Sequence, residues 1–412
     1  MSSRRVLLIC YYFPPLGGAG VGRPLALYKH LHEFGWECHV LTVKPVAYRL
    51  FEPELLEGFS KDNIYRAGSF DPQRLMYLLG IRKVKGSLIA RSKPASNKFF
   101  PDSKIGWVRS AVKLGKTLLD NRKYDAIIST SPPVSVHLVA QGLHKVFAIP
   151  WIADFRDYWT VYPIEKTYQS DSDKIKDGLN LLDSIKKQAS TITAINSSVG
   201  NYIKADHVIY NSFDIDLAKL WKSPDKDYFY IGILGSINDL CPVEPLFQVI
   251  SKLRGENPVL YKLTRLVQVG LFDNNWLLPQ LEKYKLTDKI EINGIQKRTD
   301  TIKLLSKASL MYLGVQPEEK GISTGRIYTI LSSGRPILSY AHPEGELAKL
   351  INSMDSGLTF DNENPDRAIS FLQKQIELFK DKKEVSKPLP DYSQPYASDK
   401  MAAKFADVLN RL

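Results

Sequence analysis

An α/β architecture of two doubly wound parallel sheets is predicted by three observations. Short apolar runs alternate with amphipathic helical stretches, the alternation restarts near Tyr228, and 412 residues exceed the length at which a single core keeps growing. In the first half the apolar runs cover 6–11, 38–43, 126–129, 151–154, 191–195 and 208–210, with helical patterns over 24–34, 108–119, 134–146 and 174–188. In the second half strands are expected over 230–234, 266–269, 290–295, 310–315, 337–340 and 358–360, and helices over 244–253, 276–284, 301–306, 326–332, 346–352 and 365–379. The chain thus divides into a domain over 1–212, a linker over 213–227 carrying Ser223-Pro224-Asp225, and a domain over 228–395. A last helix within 396–412 is expected to cross back to the first domain. Ligands of open α/β sheets bind outside the carboxyl ends of the strands, so the active site is expected in a cleft where the two domains face each other.

Hydrophobic residues make up 44% of the chain and charged residues 24%, ordinary proportions for a protein with a sizeable core. Cys10, Cys38 and Cys241 lack metal-ligand spacing and fit a reducing, cytoplasmic setting, and zinc is not indicated. No stretch of 18 apolar residues occurs, and the apolar run behind Met1-Ser2-Ser3-Arg4-Arg5 is too short for a signal peptide. The net charge of +12 is local: between Asp71 and Lys116 eleven Lys or Arg stand against two acids.

After the first strand comes Tyr12-Phe13-Pro14-Pro15-Leu16-Gly17-Gly18-Ala19-Gly20-Val21-Gly22-Arg23-Pro24, a glycine-dense turn opening a helix. Glycines let a main chain approach a ligand closely, and a helix N-terminus favours anions, so Gly17 and Gly18 are candidate phosphate contacts. A dinucleotide fingerprint is disfavoured: counting from Gly18, Arg23 occupies the third glycine position, and the second strand runs into Lys44 and Pro45 without the expected acid. The turn Gly235-Ser236 follows the first strand of the second domain in the same way, giving each half a main-chain anion site.

The run Trp151-Ile152-Ala153-Asp154-Phe155-Arg156-Asp157-Tyr158-Trp159 puts three charges where a buried strand ends. Such charges are paired or used. Asp154 or Asp157 paired with Arg156 would pin the loop; an acid facing the cleft would orient or deprotonate an acceptor hydroxyl. Ser129-Thr130-Ser131-Pro132-Pro133 offers hydroxyls at the preceding strand end, for substrate or for helix capping. The Gly-x-Ser-x-Gly run at 321–325 is not a nucleophile elbow, because no strand feeds Ser323 and no acid stands between it and His342, the only later histidine. Arg326 opens a short helix closed by Gly334; its N-terminus would suit a diphosphate, the alternative being simply a well-capped helix.

These residues together resemble the retaining family 4 glycosyltransferases of GT-B fold, of the type that builds bacterial surface polysaccharides and glycolipids. The turn at 12–18 with Arg23-Pro24, Ser131-Pro132-Pro133, the run 153–159, and 325–338 followed by Gly345-Glu346-Leu347-Ala348 occur in the family's order. The resemblance implies two Rossmann-like domains facing across a cleft, and a UDP- or GDP-sugar donor held mainly by the second. It also implies an acceptor held mainly by the first, sugar transfer with retention of configuration, and no cofactor or metal. Donor contacts would fall on Gly17, Gly18, Gly235, Ser236 and Arg326; Asp154, Arg156 and Asp157 would serve the acceptor side. The family's paired glutamates fall here on Gly321 and Thr329, leaving Glu318 or Glu319 and the Thr329 hydroxyl as substitutes. The Arg and Lys expected beyond Gly235-Ser236 are replaced by Asn238-Asp239-Leu240-Cys241.

In that context the basic segment reads as a membrane contact. Tyr77, Leu78, Leu79, Ile81 and Val84 interleave with Arg82, Lys83 and Lys85, as in an element that rests on anionic lipid; the alternative is a solvated loop. No nucleic-acid recognition module accompanies the charge. The expected function is glycosyl transfer to a lipid-linked or growing glycan acceptor at the inner face of the cell membrane. The alternatives are a nucleotide-sugar epimerase of the same fold and a membrane-docked scaffold with impaired donor binding.

Overall fold

The computed structural model describes residues 4–46, 50–80, 99–169, 171–381 and 388–412, so Arg82, Lys83 and Lys85 lie outside the described residues. The described residues up to 212 together with Ser398–Leu412 form one compact unit, and Phe213–Ala397 form the other.

The first unit holds β1 (Arg4–Ile9), β2 (Trp36–Val43), β3 (Ile64–Ala67), β4 (Ala126–Ser131), β5 (Trp151–Phe155), β6 (Thr191–Ala194) and β7 (His207–Val208). They lie in the order β3-β2-β1-β4-β5-β6-β7, with every pair parallel. Parallel strands joined by crossover helices are covered on both faces, which is why β4 is buried along its whole length. Alternate residues of β1 feed different cores: Leu7 and Ile9 pack with Trp107, Val136 and Val139, whereas Val6 and Leu8 pack with Leu25, Leu27, Met401 and Phe405. The second of these cores joins the terminal helix Ser398–Leu409 to the helix Gly22–His30.

The second unit holds β8 (Phe229–Leu234), β9 (Thr264–Val269), β10 (Ile290–Asn293), β11 (Ala308–Gly314), β12 (Ile337–Tyr340) and β13 (Gly357–Phe360), ordered β10-β9-β8-β11-β12-β13 and again all parallel. The doubly wound α/β expectation holds in each unit.

Several elements differ from the sequence expectation for local reasons. The helix expected over 24–34 begins at Gly22 and ends at His30; a 3-10 turn, Leu31–Phe34, follows and is closed by Gly35 at φ 81°. The edge strand β3 was not anticipated, because Ile64, Tyr65 and Arg66 are only half-buried and the segment has no apolar run. Strand β10 stops at Asn293, before Gly294. No helix among the described residues is long and apolar enough to cross a membrane.

Candidate active sites at two sheet switch points

Each sheet reverses its winding direction once, between β1 and β4 in the first unit and between β8 and β11 in the second. Loops leaving adjacent strands in opposite directions open a crevice there, the usual ligand position in this architecture. The residues singled out from the sequence gather around these two points, and each point is built around an arginine.

In the first unit the glycine turn pairs with a neighbouring segment. The Gly17 N–H donates to the Leu50 carbonyl at 2.9 Å, Leu16 bridges Phe51, and the Glu52 N–H donates to Pro15 at 2.7 Å. A Cβ on Gly17 would lie 2.1 Å from Glu52 Oε2 and 2.7 Å from the Leu50 side chain. Glycine here permits close packing, and the N–H that the sequence suggested for an anion is spent on a carbonyl. Gly18 has open space where a Cβ would stand, and its φ of 101° is the feature that requires glycine.

Asp154 is the penultimate residue of β5 and is fully buried. Its partner is Arg23, not Arg156: Arg23 Nε reaches Oδ2 at 2.9 Å and Nη2 reaches Oδ1 at 2.7 Å. Thr130 donates to Oδ2 at 2.6 Å and Thr193 to Oδ1 at 2.7 Å, so each carboxylate oxygen accepts two hydrogen bonds. Burial alone would raise its pKa, but the Arg23 charge and these bonds hold the carboxyl below the usual range. Arg23 Nη1 also donates to the Ile209 and Tyr210 carbonyls, and its guanidinium lies 4.9 Å from the Phe405 ring centroid. Asp154 is thereby committed to tying four segments of the unit together.

Arg156 binds carbonyls on both sides of the switch point. Nη1 donates to Gly20 at 2.7 Å, Nε to Ser131 at 2.8 Å and Nη2 to Pro132 at 3.0 Å, joining the loops that leave β1 and β4. The hydroxyls considered for substrate are engaged as well. Besides Thr130, Ser129 Oγ accepts from Trp151 Nε1 and meets His137 Nδ1 at 2.8 Å. The first turn of the helix Ser135–Phe147 is held by Asp102, which accepts from the Ser135 N–H and Oγ. Asp157 stands apart from this network. It is half-buried and makes no hydrogen bond among the described residues; burial pushes its carboxyl up to about 7 against the opposing pull of Arg156.

In the second unit Gly235 turns the chain at φ 95° and donates its N–H to Val269 at 2.8 Å. A Cβ there would lie 2.5 Å from Arg326 Cδ, so glycine makes room for that arginine. Arg326 Nη1 donates to Leu234 at 2.9 Å and to Ser236 at 3.5 Å, Nη2 to Cys241 Sγ at 2.6 Å, and Nε to Thr324 Oγ1 at 3.2 Å. Among the described residues no carboxylate pairs with Arg326, and the Ser236 N–H has no partner. The structure thus brings Gly235, Ser236 and Arg326 together. Thr329 lies one turn further along the helix Arg326–Ser332, half-buried, with its carbonyl accepting from Ser332 Oγ at 2.8 Å. Glu318 is exposed and Glu319 half-buried in a turn after β11, and neither forms an ion pair with Arg326. Ser323 is buried nine residues past the end of β11.

Sequence reading missed Arg23 as the partner of Asp154, and Thr324 and Cys241 as partners of Arg326. A signal existed for the first: an arginine on an apolar helix turn and an aspartate ending an apolar strand each need a buried counterpart.

No family model matches the chain, and no curated protein does. Among solved structures the chain is similar to sucrose-phosphate synthase from Thermosynechococcus elongatus, at 13% identity and a TM-score of 0.66 over 99% of this chain and 98% of that one. It is also similar to HepE of Anabaena in complex with UDP-glucose, at 15% identity and a TM-score of 0.63 over 99% of this chain and 100% of that one. A third likeness is to trehalose 6-phosphate synthase from Burkholderia multivorans, at 10% identity and a TM-score of 0.65 over 100% of this chain and 97% of that one. Near-complete coverage in both directions at such identities speaks for architecture, and with two all-parallel sheets of seven and six strands the chain has the α/β GT-B fold.

Proposed function

We propose that the protein is a glycosyltransferase that moves a sugar from a nucleotide-sugar donor to a hydroxyl of a lipid-linked or growing glycan acceptor, with retention of configuration. The observation that carries this reading is Arg326: a half-buried guanidinium at the switch point of a parallel sheet which, among the described residues, has no carboxylate partner and stands beside a Ser236 N–H with no acceptor. Breaking the sugar–phosphate bond leaves negative charge on the departing diphosphate, and a preoriented cation with an N–H donor stabilises that charge without reorganising. The UDP-glucose bound to HepE supports a UDP-sugar as the first donor to try.

In this reading Gly235, Ser236 and Arg326 hold the diphosphate, and Thr329, Glu318 and Glu319 supply contacts to donor hydroxyls. Gly17 and Gly18 shape the turn that borders the acceptor side. Asp157 accepts a hydrogen bond from the acceptor hydroxyl, while Asp154 and Arg156 position the loops around it. The positive charge comes from arginine, so transfer is expected to persist in EDTA. Work at the inner membrane face would rest on Arg82, Lys83 and Lys85, supported by the local charge excess and by the exposed side chains of Phe70, Leu78 and Leu79.

The test is incubation with UDP-, GDP- and dTDP-sugars, with slow donor hydrolysis and nucleotide binding as readouts. Turnover or micromolar binding of one donor is expected, and indifference to every donor would overturn the reading. Sedimentation with vesicles containing phosphatidylserine tests docking; binding unchanged after neutralising Arg82, Lys83 and Lys85 would refute it.

A further inference from the structure

Thr324 has a φ of 54°. A positive φ is uncommon for any residue with a Cβ, and for a β-branched side chain it is a genuine outlier, because the branch crowds the backbone in the left-handed region. Lys285, Asp355 and Leu389 of the same unit also have positive φ, but among the described non-glycine residues with positive φ Thr324 is the only one that is β-branched. Strain of this kind persists where surrounding contacts hold it, and it collects at binding sites.

The contact that Thr324 makes and a glycine could not is to Arg326: Thr324 Oγ1 accepts from Arg326 Nε at 3.2 Å. Its Nη1 also reaches the Leu234 and Ser236 carbonyls and its Nη2 reaches Cys241 Sγ, which leaves part of the five-donor fork for a ligand. A guanidinium is planar, so partners on Nε, Nη1 and Nη2 fix both its place and the tilt of its plane. The Leu234 carbonyl alone would leave the side chain free to swing about that contact. Thr324 and Cys241 remove this freedom from either side, and Gly235 leaves the room in which the side chain lies.

We infer that Thr324 is a positioning residue: it is held in a strained left-handed conformation so that its hydroxyl locks the plane of Arg326 over the Gly235-Ser236 turn. The inference rests on the donor-binding role proposed for Arg326 only in its consequence for nucleotide affinity. The lock itself is a property of the free protein.

The experiment uses the full chain and three variants. Thr324→Val keeps the shape and removes the hydroxyl, Thr324→Gly removes hydroxyl and strain together, and Thr324→Ser keeps the hydroxyl. The Arg326 Nε–H resonance, assigned through Arg326→Lys, is followed by exchange with solvent, and binding of UDP, GDP and dTDP is followed by calorimetry. Nε–H exchange should speed up at least fivefold in the Val and Gly variants and stay within twofold of native in the Ser variant. Nucleotide affinity should fall about tenfold in the first two and hold in the third, with the Gly variant melting no lower than native. An unchanged Nε–H exchange rate in both the Val and Gly variants would overturn the inference. If exchange follows the hydroxyl while the native protein binds no nucleotide, the lock stands and the donor reading fails.

Discussion

The two switch points use the same device for different ends. Arg156 and Arg326 each reach backbone carbonyls around a switch point, and neither is spent on a bidentate ion pair. Arg156 is buried, binds loop carbonyls on both sides of the sheet reversal and has Asp157 as its chain neighbour. Arg326 is half-buried, with a thiol and a hydroxyl as its side-chain partners and no acid paired with it among the described residues. The first unit therefore presents a carboxyl that titrates near neutrality, suited to a hydroxyl; the second presents surplus positive charge, suited to a phosphate. In the proposed reading, the choice of acid or no acid beside the arginine divides the labour.

The largest effect expected from breaking this arrangement lies below the first switch point, at Asp154. Asp154→Ala leaves the Arg23 guanidinium buried and unpaired, and removing one partner of a buried pair costs about 3–5 kcal/mol. Chemical denaturation should show the first unit unfolding at much lower denaturant, with the second unit's transition unmoved. A loss below about 1 kcal/mol would mean that the unit relaxes to solvate Arg23, and Asp154 would lose its structural assignment.

Exchanging the two arginines in turn sharpens the comparison. Arg326→Met should weaken nucleotide binding about 10- to 100-fold, the range that follows from losing one charge-assisted hydrogen bond of roughly 1.5–3 kcal/mol. Arg156→Met should leave nucleotide binding within about twofold, because its donors serve carbonyls of the first unit. It should instead destabilise that unit by about 1–3 kcal/mol through three carbonyls that lose a donor. Calorimetric titration and thermal melting of both variants check the pair, and a swapped pattern would break the division of labour.

Much of this was legible in the sequence, and the residues show where legibility stops. Alternating apolar runs and helical periodicities revealed every strand of both sheets but the edge strand β3, because buried parallel strands cannot hide their composition and the half-buried β3 can. The Gly235-Ser236 turn and Arg326 were both marked as anion contacts, since each carries a local signature, although their meeting spans 90 residues. Arg23 and Asp154 are 131 residues apart, and nothing local says that they meet. Gly17 misled for the same reason: glycine next to glycine suggests a ligand, whereas its constraint comes from Leu50 and Glu52 in a segment with no strand signal. Burial raised the Asp157 carboxyl, and burial of a loop residue is set by its neighbours rather than by its own sequence context.

The smallest effect concerns Asp157 and pH. Its folded pKa, pushed up to about 7, lies above the ordinary value of about 4 for an unfolded aspartate. Between those values the folded state binds the proton more tightly, so this group's contribution to stability falls as pH rises from about 4 to 7 and levels off above. Asp157→Asn should flatten that slope and leave stability at pH 5 nearly unchanged, with a gain of about 1 kcal/mol or less at pH 8, because a half-exposed carboxyl is screened by water. If Asp157 also receives the acceptor hydroxyl, its variant should lose the limb of the rate profile near pH 7 while nucleotide affinity, governed by Arg326, holds. A stability slope that survives in Asp157→Asn would place the titrating group elsewhere, and the acid would then no longer distinguish the first switch point from the second.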